Sequence, residues 1–157
     1  QSQELKYALI VYKHKDFGYI FTVETEANVP KELSNLFHQN MSLIDKKLLD
    51  YYSTLIFDSE HMFLLSCDDE PIGYAKVCES NSYSLLVEIF VKKEFRELSL
   101  GTFLLNSIRE YVKSIDSTLR TITLPSDRVA KNFYEASGIT ARILLMEEKR
   151  ENNRYRS

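Results

Sequence analysis

Apolar, β-branched and aromatic residues crowd two stretches near the start of the chain, Leu5 to Tyr12 and Tyr19 to Glu24. Each predicts a strand, and Asp16-Phe17-Gly18 between them has turn chemistry, so the two are expected to form an antiparallel hairpin. The period then changes. Pro30 suits the first turn of a helix, and Leu33, Leu36 and Phe37 follow at helical spacing. After Asn40 a second periodic set appears in Ile44, Leu48, Leu49, Tyr52 and Ile56. Two short helices are predicted.

From Met62 the pattern returns to strands. Met62 to Cys67, Ile72 to Cys78 and Tyr83 to Val91 are separated by Asp68-Asp69-Glu70-Pro71 and by the polar run Glu79 to Ser82, which reads as a three-stranded meander. Phe103, Leu104, Ile108, Val112 and Ile115 fall on one stripe, predicting an amphipathic helix over Gly101 to Ile115. Leu119 to Leu124 reads as a strand, Asp127 to Ser137 as a helix ended by Gly138, and Ile139 to Glu147 as a last strand. No repeat or linker interrupts this order. The chain is therefore read as one domain, 1–157, of α+β (mixed α/β) class built on a single sheet.

Composition adds exclusions. The chain has 157 residues, 44% hydrophobic and 27% charged, a globular balance that suits one core. No apolar run approaches the roughly 20 residues needed to cross a bilayer, and Gln1 to Lys6 is polar, so a cytoplasmic protein with no membrane partner is expected. A net charge of −3 with mixed signs disfavours nucleic acid as a partner. The tail with Arg150, Arg154 and Arg156 is interspersed with Glu and Asn and is expected to fray. Cys67 and Cys78 have no metal-ligand spacing and read as buried thiols, so no metal is expected.

The segment Val87-Glu88-Ile89-Phe90-Val91-Lys92-Lys93-Glu94-Phe95-Arg96-Glu97-Leu98-Ser99-Leu100-Gly101-Thr102 carries the chemistry. A buried strand runs through a short loop straight into a helix, gathering unpaired N–H groups at the positive end of the helix dipole, where a phosphate or pyrophosphate can sit. A plain strand-to-helix connection has the same outline.

This segment resembles motif A of the GNAT superfamily of N-acetyltransferases, a strand ending in valine followed by Q/R-x-x-G-x-G/A. Arg96 and Gly101 keep two of its positions, and Ser99 stands at the first glycine, where φ > 0 is easiest for a residue without a Cβ. Downstream, Asp127-Arg128-Val129-Ala130-Lys131-Asn132-Phe133-Tyr134-Glu135-Ala136-Ser137-Gly138-Ile139 is similar to motif B, N-x-x-A-x-x-F-Y-x-x-x-G-F. Ala130, Phe133, Tyr134 and Gly138 match, while Asp127 replaces the asparagine and Ile139 the phenylalanine. The resemblance covers about Met62 to Glu147. It implies a GNAT-like fold, a central mixed and mostly antiparallel sheet with helices on both faces. Family members usually place two strands after motif B, whereas this chain offers one. The front hairpin, or a second copy in a homodimer, would then complete the sheet.

The resemblance further implies acetyl-CoA as co-substrate, held by Arg96, Glu97, Leu98, Ser99, Leu100, Gly101 and Thr102 at its pyrophosphate. Ile89, Phe90 and Val91 would lie along the pantetheine arm, with Asp127 and Tyr134 on the motif B side. Residues 62–147 would be the coenzyme-binding core, 1–60 the acceptor side and 148–157 a polar tail. Acyl transfer to an amine needs a neutral nucleophile, a polarised carbonyl and a protonated leaving thiolate. Tyr134, whose phenol ordinarily ionises near pH 10, is the candidate acid at the sulfur, or else an aromatic packing a helix on the sheet. Glu88, a carboxylate in an otherwise apolar strand, is the candidate base, or else a sheet glutamate meeting a lysine across the strand. His14, His38 and His61 lie outside both motifs and read as surface or packing residues. The function expected is direct transfer of acetyl from acetyl-CoA to an amine of a small molecule or peptide. The alternatives are a non-enzymatic acyl-CoA-binding or sensing module and a structural oligomer that pairs through an edge strand.

Overall fold

In a computed structural model, residues 9–149 are described, and they divide between Ile122 and Thr123 into two compact units. The first holds a six-stranded sheet in the order β1 (Val11–Asp16), β2 (Tyr19–Thr25), β3 (Ser59–Cys67), β4 (Glu70–Glu79), β5 (Ser84–Val91) and β6 (Leu119–Thr121). Neighbours are antiparallel except for β5 and β6, which run parallel, so the sheet is mixed and mostly antiparallel as the sequence implies. Among its described residues this unit has three α-helices: α1 (Lys31–Gln39), α2 (Leu43–Tyr52) and α3 (Leu100–Ser114).

Local chemistry accounts for the turns and helix starts. Phe17 and Gly18 both have positive φ (52° and 78°), as a two-residue hairpin loop matched to strand twist demands. Asp68 and Asp69 do the same between β3 and β4, with φ 46° and 70°. The two hairpins are tied together where Asp68 N–H donates to the Ile20 carbonyl at 2.8 Å and Ile20 N–H to Asp68 Oδ1 at 2.9 Å. Pro71 sits where β3 and β4 slip register, which suits a residue that cannot donate to a ladder. Pro30 is the residue before α1, one position earlier than the first turn. The start of α2 is a capping box between Ser42 and Asp45.

Strand alternation divides the core. Leu64, Tyr74 and Phe90 lie on the face covered by α1, where Leu33, Leu36 and Phe37 join them. Phe21, Val23, Phe63, Leu65, Ala75 and Val77 are buried on the opposite face. There α3 brings Leu104, Ile108 and Tyr111, the last meeting the Phe63 ring edge-on at 5.4 Å between centroids. Helices thus cover both faces. Of the predicted stripe, Leu104, Ile108, Val112 and Ile115 are buried and Phe103 is half-buried, while Leu100, Leu105 and Tyr111 join it; burying each such Leu or Ile contributes roughly 1.5–3 kcal/mol.

The second unit contains α4 (Arg128–Ala136). No strand follows it among the described residues, so the expected strand over Ile139 to Glu147 is corrected. The run Ile143-Leu144-Leu145-Met146 favours burial, but a strand also needs a ladder partner, and a continuous apolar run does not specify one. Two further bounds shift: β6 stops at Thr121 rather than Leu124, and Ile56 lies beyond α2 and is exposed. Residues 5–8 of the first predicted strand and the arginines of the tail lie outside the described residues.

Gly73 fixes the end of β5 from the neighbouring strand. A Cβ at this position would stand 2.5 Å from the Phe90 carbonyl oxygen and 3.2 Å from Val91 Cα, both backbone atoms that cannot rotate away. Gly73→Ala is expected to lower stability by about 1–3 kcal/mol, the usual cost of overpacking. The urea midpoint of the variant checks this, and an unchanged midpoint would mean that the two backbones are not this close.

Candidate functional site

Strand β5 behaves differently along its two edges. Its parallel pairing with β6 runs Ser84↔Leu119, Leu85↔Arg120 and Leu86↔Thr121 and stops there, although β5 continues to Val91. On the other edge the ladder with β4 persists, but Val77 faces Leu86 while Lys76 faces Glu88, leaving Val87 as an extra residue. Such a bulge bends a strand and sharpens its twist. It falls at the point where β5 and β6 part.

The open edge has defined donors and acceptors. Lys92 N–H donates to the Ile72 carbonyl at 2.8 Å, so in an antiparallel ladder Phe90 and Glu88 also direct their backbone groups to β4. The N–H and C=O groups of Ile89 and Val91 then point to the edge that β6 has left. This narrows the sequence reading: the backbone of Phe90 pairs with β4, and its ring belongs to the core beside Leu33 and Tyr74.

The loop that follows is clasped to the strand. A short 3-10 turn at Lys93–Phe95 leads to Arg96, whose Nε donates to the Val91 carbonyl at 2.8 Å while its guanidinium lies 5.5 Å from the centre of the Phe90 ring. Ser99 takes the left-handed conformation (φ 58°, ψ 24°) immediately before α3, and its side chain caps nothing. The first bond of α3 runs from Phe103 N–H to the Ser99 carbonyl at 3.2 Å. The amides of Leu100, Gly101 and Thr102 therefore precede the helix ladder, at its positive end, and no acidic residue occupies the first turn. Glu97 and Leu98 are links of the loop.

Glu88 faces the other way, into a cleft of about 270 Å³ beneath α2. Its carboxylate is buried and accepts a hydrogen bond from the Tyr74 hydroxyl at 2.6 Å, in the range of charge-assisted O–H···O⁻ bonds. The lysine expected across the strand exists, since Lys76 is its register partner, but Lys76 reaches Glu60 instead at 3.4 Å. Val87 lines the same cleft beside Glu88, because the bulge turns two successive side chains to one face. Cys78 borders it too, and burial pushes its thiol up; Lys76 opposes this, while Glu60 and Glu88 add to it.

Tyr74 is the site residue that the sequence reading missed. Its spacing from Lys76 already placed both on one face, but only the register of β4 against β5 brings its hydroxyl to Glu88. The histidines are elsewhere. His14 lies tilted against the Phe103 ring at 5.3 Å between centroids, and His38 bonds the Ser34 carbonyl through Nδ1. His61 is buried between Glu26 at 2.7 Å and Glu79 at 3.0 Å, a packing residue with two carboxylate partners.

In the second unit, Asp127 performs a capping role in place of asparagine, accepting from Ala130 N–H at 3.1 Å. Gly138 has φ 89°, and the bonds Ile139 N–H to the Tyr134 carbonyl (2.9 Å) and Gly138 N–H to the Glu135 carbonyl (3.0 Å) end α4 in a Schellman motif. Tyr134 is thereby fixed at its backbone in the last turn, its ring 5.2 Å from that of Phe133. Among the described residues no group of His, Cys, Asp and Glu is placed to hold a metal, and no helix is long and apolar enough to cross a membrane.

The family model described as an acetyltransferase (GNAT) domain matches residues 33–152. No curated protein matches the chain in sequence. Among solved structures, a Pyrococcus furiosus protein assigned as an acetyl transferase shares the fold with a TM-score of 0.63 at 18% identity, over 82% of this chain and 99% of that one. An aminoglycoside acetyltransferase from an uncultured soil metagenomic sample, in complex with sisomicin, gives 0.59 at 15% identity over 85% and 97%. A GNAT family acetyltransferase from Elizabethkingia anophelis with acetyl-CoA bound gives 0.54 at 20% identity over 82% and 73%.

Ser99 bears the Cβ penalty of a left-handed backbone, so Ser99→Gly should raise stability by about 0.5–1 kcal/mol, read from the denaturant midpoint; a loss would mean that the hydroxyl is needed. The Tyr74 phenol is pushed well above its ordinary range by burial, then by its hydrogen bond to Glu88 and the charge there. In the unfolded chain it ionises near pH 10, so above about pH 10 the unfolded state holds fewer protons and stability falls as pH rises, by up to about 1.4 kcal/mol per pH unit. Tyr74→Phe should flatten this alkaline fall in thermal melts and leave neutral pH without any such slope. An alkaline limb of unchanged steepness would show the phenol to be unprotected.

Proposed function

The chain belongs to the GNAT family of acetyltransferases, and from that premise we propose how its residues move an acetyl group from acetyl-CoA to an amine. The observation that carries this reading is the geometry of β5. Its edge is vacated beyond Leu86, and it runs through the Arg96 clasp to the amides of Leu100, Gly101 and Thr102. An extended pantetheine arm can pair with Ile89 and with the N–H of Val91, whose carbonyl Arg96 already holds, and a pyrophosphate suits the amides at the start of α3. Thr102 and Gly101 then contribute through the backbone, and Arg96 holds the loop in shape. The groups present fit the coenzyme.

Acetyl-CoA supplies a thioester whose C–S bond is exchanged for a C–N bond. Glu88 receives the proton that the amine nitrogen loses, a role supported by its being a buried carboxylate that lines the cleft beneath α2. An N–H of the open edge stabilises the negative charge that develops on the carbonyl oxygen. Tyr134 gives its proton to the departing sulfur, so that free thiol and amide are the products. This last role rests on the match to motif B and on the anchored last turn of α4. The two units act as one acetyltransferase domain, and the acceptor is an amine of a small molecule or peptide. The cytoplasm, the setting expected from the sequence, supplies this coenzyme.

Release of free coenzyme thiol in the presence of an accepted amine tests the assignment. Tyr134→Phe keeps the ring and removes the hydroxyl, so coenzyme affinity and melting temperature should hardly move while kcat falls by about 100-fold, the lower end of the range for a positioned acid. Full kcat in that variant would remove Tyr134 from the mechanism.

A further inference from the structure

The cleft beside Glu88 has a division of chemistry that selects among amines. Its charged floor is on β3, β4 and β5: Glu60 and Lys76 meet at 3.4 Å and offset one another, whereas Glu88 has no cation within ion-pair distance among the described residues and is held only by Tyr74. Its walls are mixed but carry an apolar stretch: Leu49 from α2, Phe57 from the segment after it and Val87 from the bulge, with Tyr52, Ser53 and Cys78 beside them. At about 270 Å³ it is smaller than the roughly 300–1,000 Å³ of sites that enclose drug-sized ligands.

We infer that this cleft takes a primary amine carrying a single cationic head on a short apolar or aromatic body, with Glu88 as the anchor for the ammonium and Tyr74 as the residue that positions Glu88. The inference rests on the acetyltransferase reading for what happens to the amine, but not for its binding. Oε1 of the Glu88 carboxylate is engaged by Tyr74, which leaves Oε2 to serve the ligand. A cationic head meets that unbalanced negative charge, and an apolar body meets Leu49, Phe57 and Val87. A polyhydroxylated amino sugar would instead set hydroxyls against Leu49, Phe57 and Val87 and exceed what Ser53 and Tyr52 can satisfy, and each unmet hydrogen bond is costly. A polyamine would bring a second cation to a floor where the other carboxylate is already paired.

The test measures binding and turnover separately, on the full chain. Binding of 2-phenylethylamine is followed by NMR, and thiol release is measured for 2-phenylethylamine, spermidine and the amino sugar neamine at equal concentration with acetyl-CoA. The expected result is binding of 2-phenylethylamine and a kcat/KM at least 10-fold above that of the other two. Glu88→Gln should weaken its binding 10-fold or more with coenzyme affinity unchanged. Tyr74→Phe should raise KM for the amine more than it lowers kcat, a split that mere loss of stability would not give. Preference for neamine or spermidine, or failure of 2-phenylethylamine to bind at all, would overturn the inference while leaving an acetyltransferase. Binding of 2-phenylethylamine that depends on Glu88, with no amine acetylated, would uphold the cleft assignment and remove the catalytic reading instead.

Discussion

The parting of β5 from β6 after Leu86 is the feature on which the site depends. Parallel strands ordinarily remain paired along their shared length, because an unpaired N–H or C=O away from water costs about as much as a lost hydrogen bond. The extra residue at Val87 supplies a cause for the departure. It bends β5 and increases its twist while the ladder to β4 resumes at Glu88, so β5 stays in the sheet on one edge and leaves it on the other. Gly73 allows this. With no Cβ, β4 follows the bent strand closely enough for its backbone to approach the Phe90 carbonyl.

The same bulge gives β5 its two roles. Beyond it, the backbone of Ile89 and Val91 faces the vacated edge, where a coenzyme can pair. At it, Val87 and Glu88 both line the cleft under α2, so one strand turns main-chain groups to its open edge and side chains to the cleft. Rigid support follows from position. Tyr74 is wholly buried in the cluster with Leu33 and Phe90, and its hydroxyl holds Glu88 from within the core rather than from a loop. A carboxylate held this way has little rotamer freedom left to lose when a ligand arrives.

Much of this was legible in the sequence, for identifiable reasons. Both motifs are local, so Arg96, Ser99 and Gly101 could be placed at a strand-to-helix junction from spacing alone, and Asp127 and Gly138 at the ends of a helix from capping chemistry. The meander and the α3 stripe followed from hydrophobic period. What escaped depends on register. The Tyr74 to Glu88 hydrogen bond, the bulge at Val87 and the assignment of Phe90 to the β4 ladder are set by how β4 lies against β5, and alternation within one strand does not fix its offset from the next. The strand expected over Ile139 to Glu147 failed for a related reason, since an apolar run signals burial without naming a partner.

The departure at Ser99 shows how the loop can tolerate a residue that its pattern disfavours. A non-glycine residue in the left-handed region is strained by on the order of 1 kcal/mol, and it persists only where the surroundings determine the backbone. Here they do on both sides. Upstream, Arg96 ties the loop to the Val91 carbonyl and lies over the Phe90 ring. Downstream, Leu100, Leu104 and Ile108 anchor α3 in the core. With both ends fixed, the chain must turn sharply at Ser99 to enter the helix, and the turn leaves the amides of Leu100, Gly101 and Thr102 at the head of α3 with no side-chain cap from Ser99. A capping hydroxyl would compete with a phosphate for those donors. The left-handed turn and the absence of a cap at Ser99 are both compatible with leaving the site to an anion.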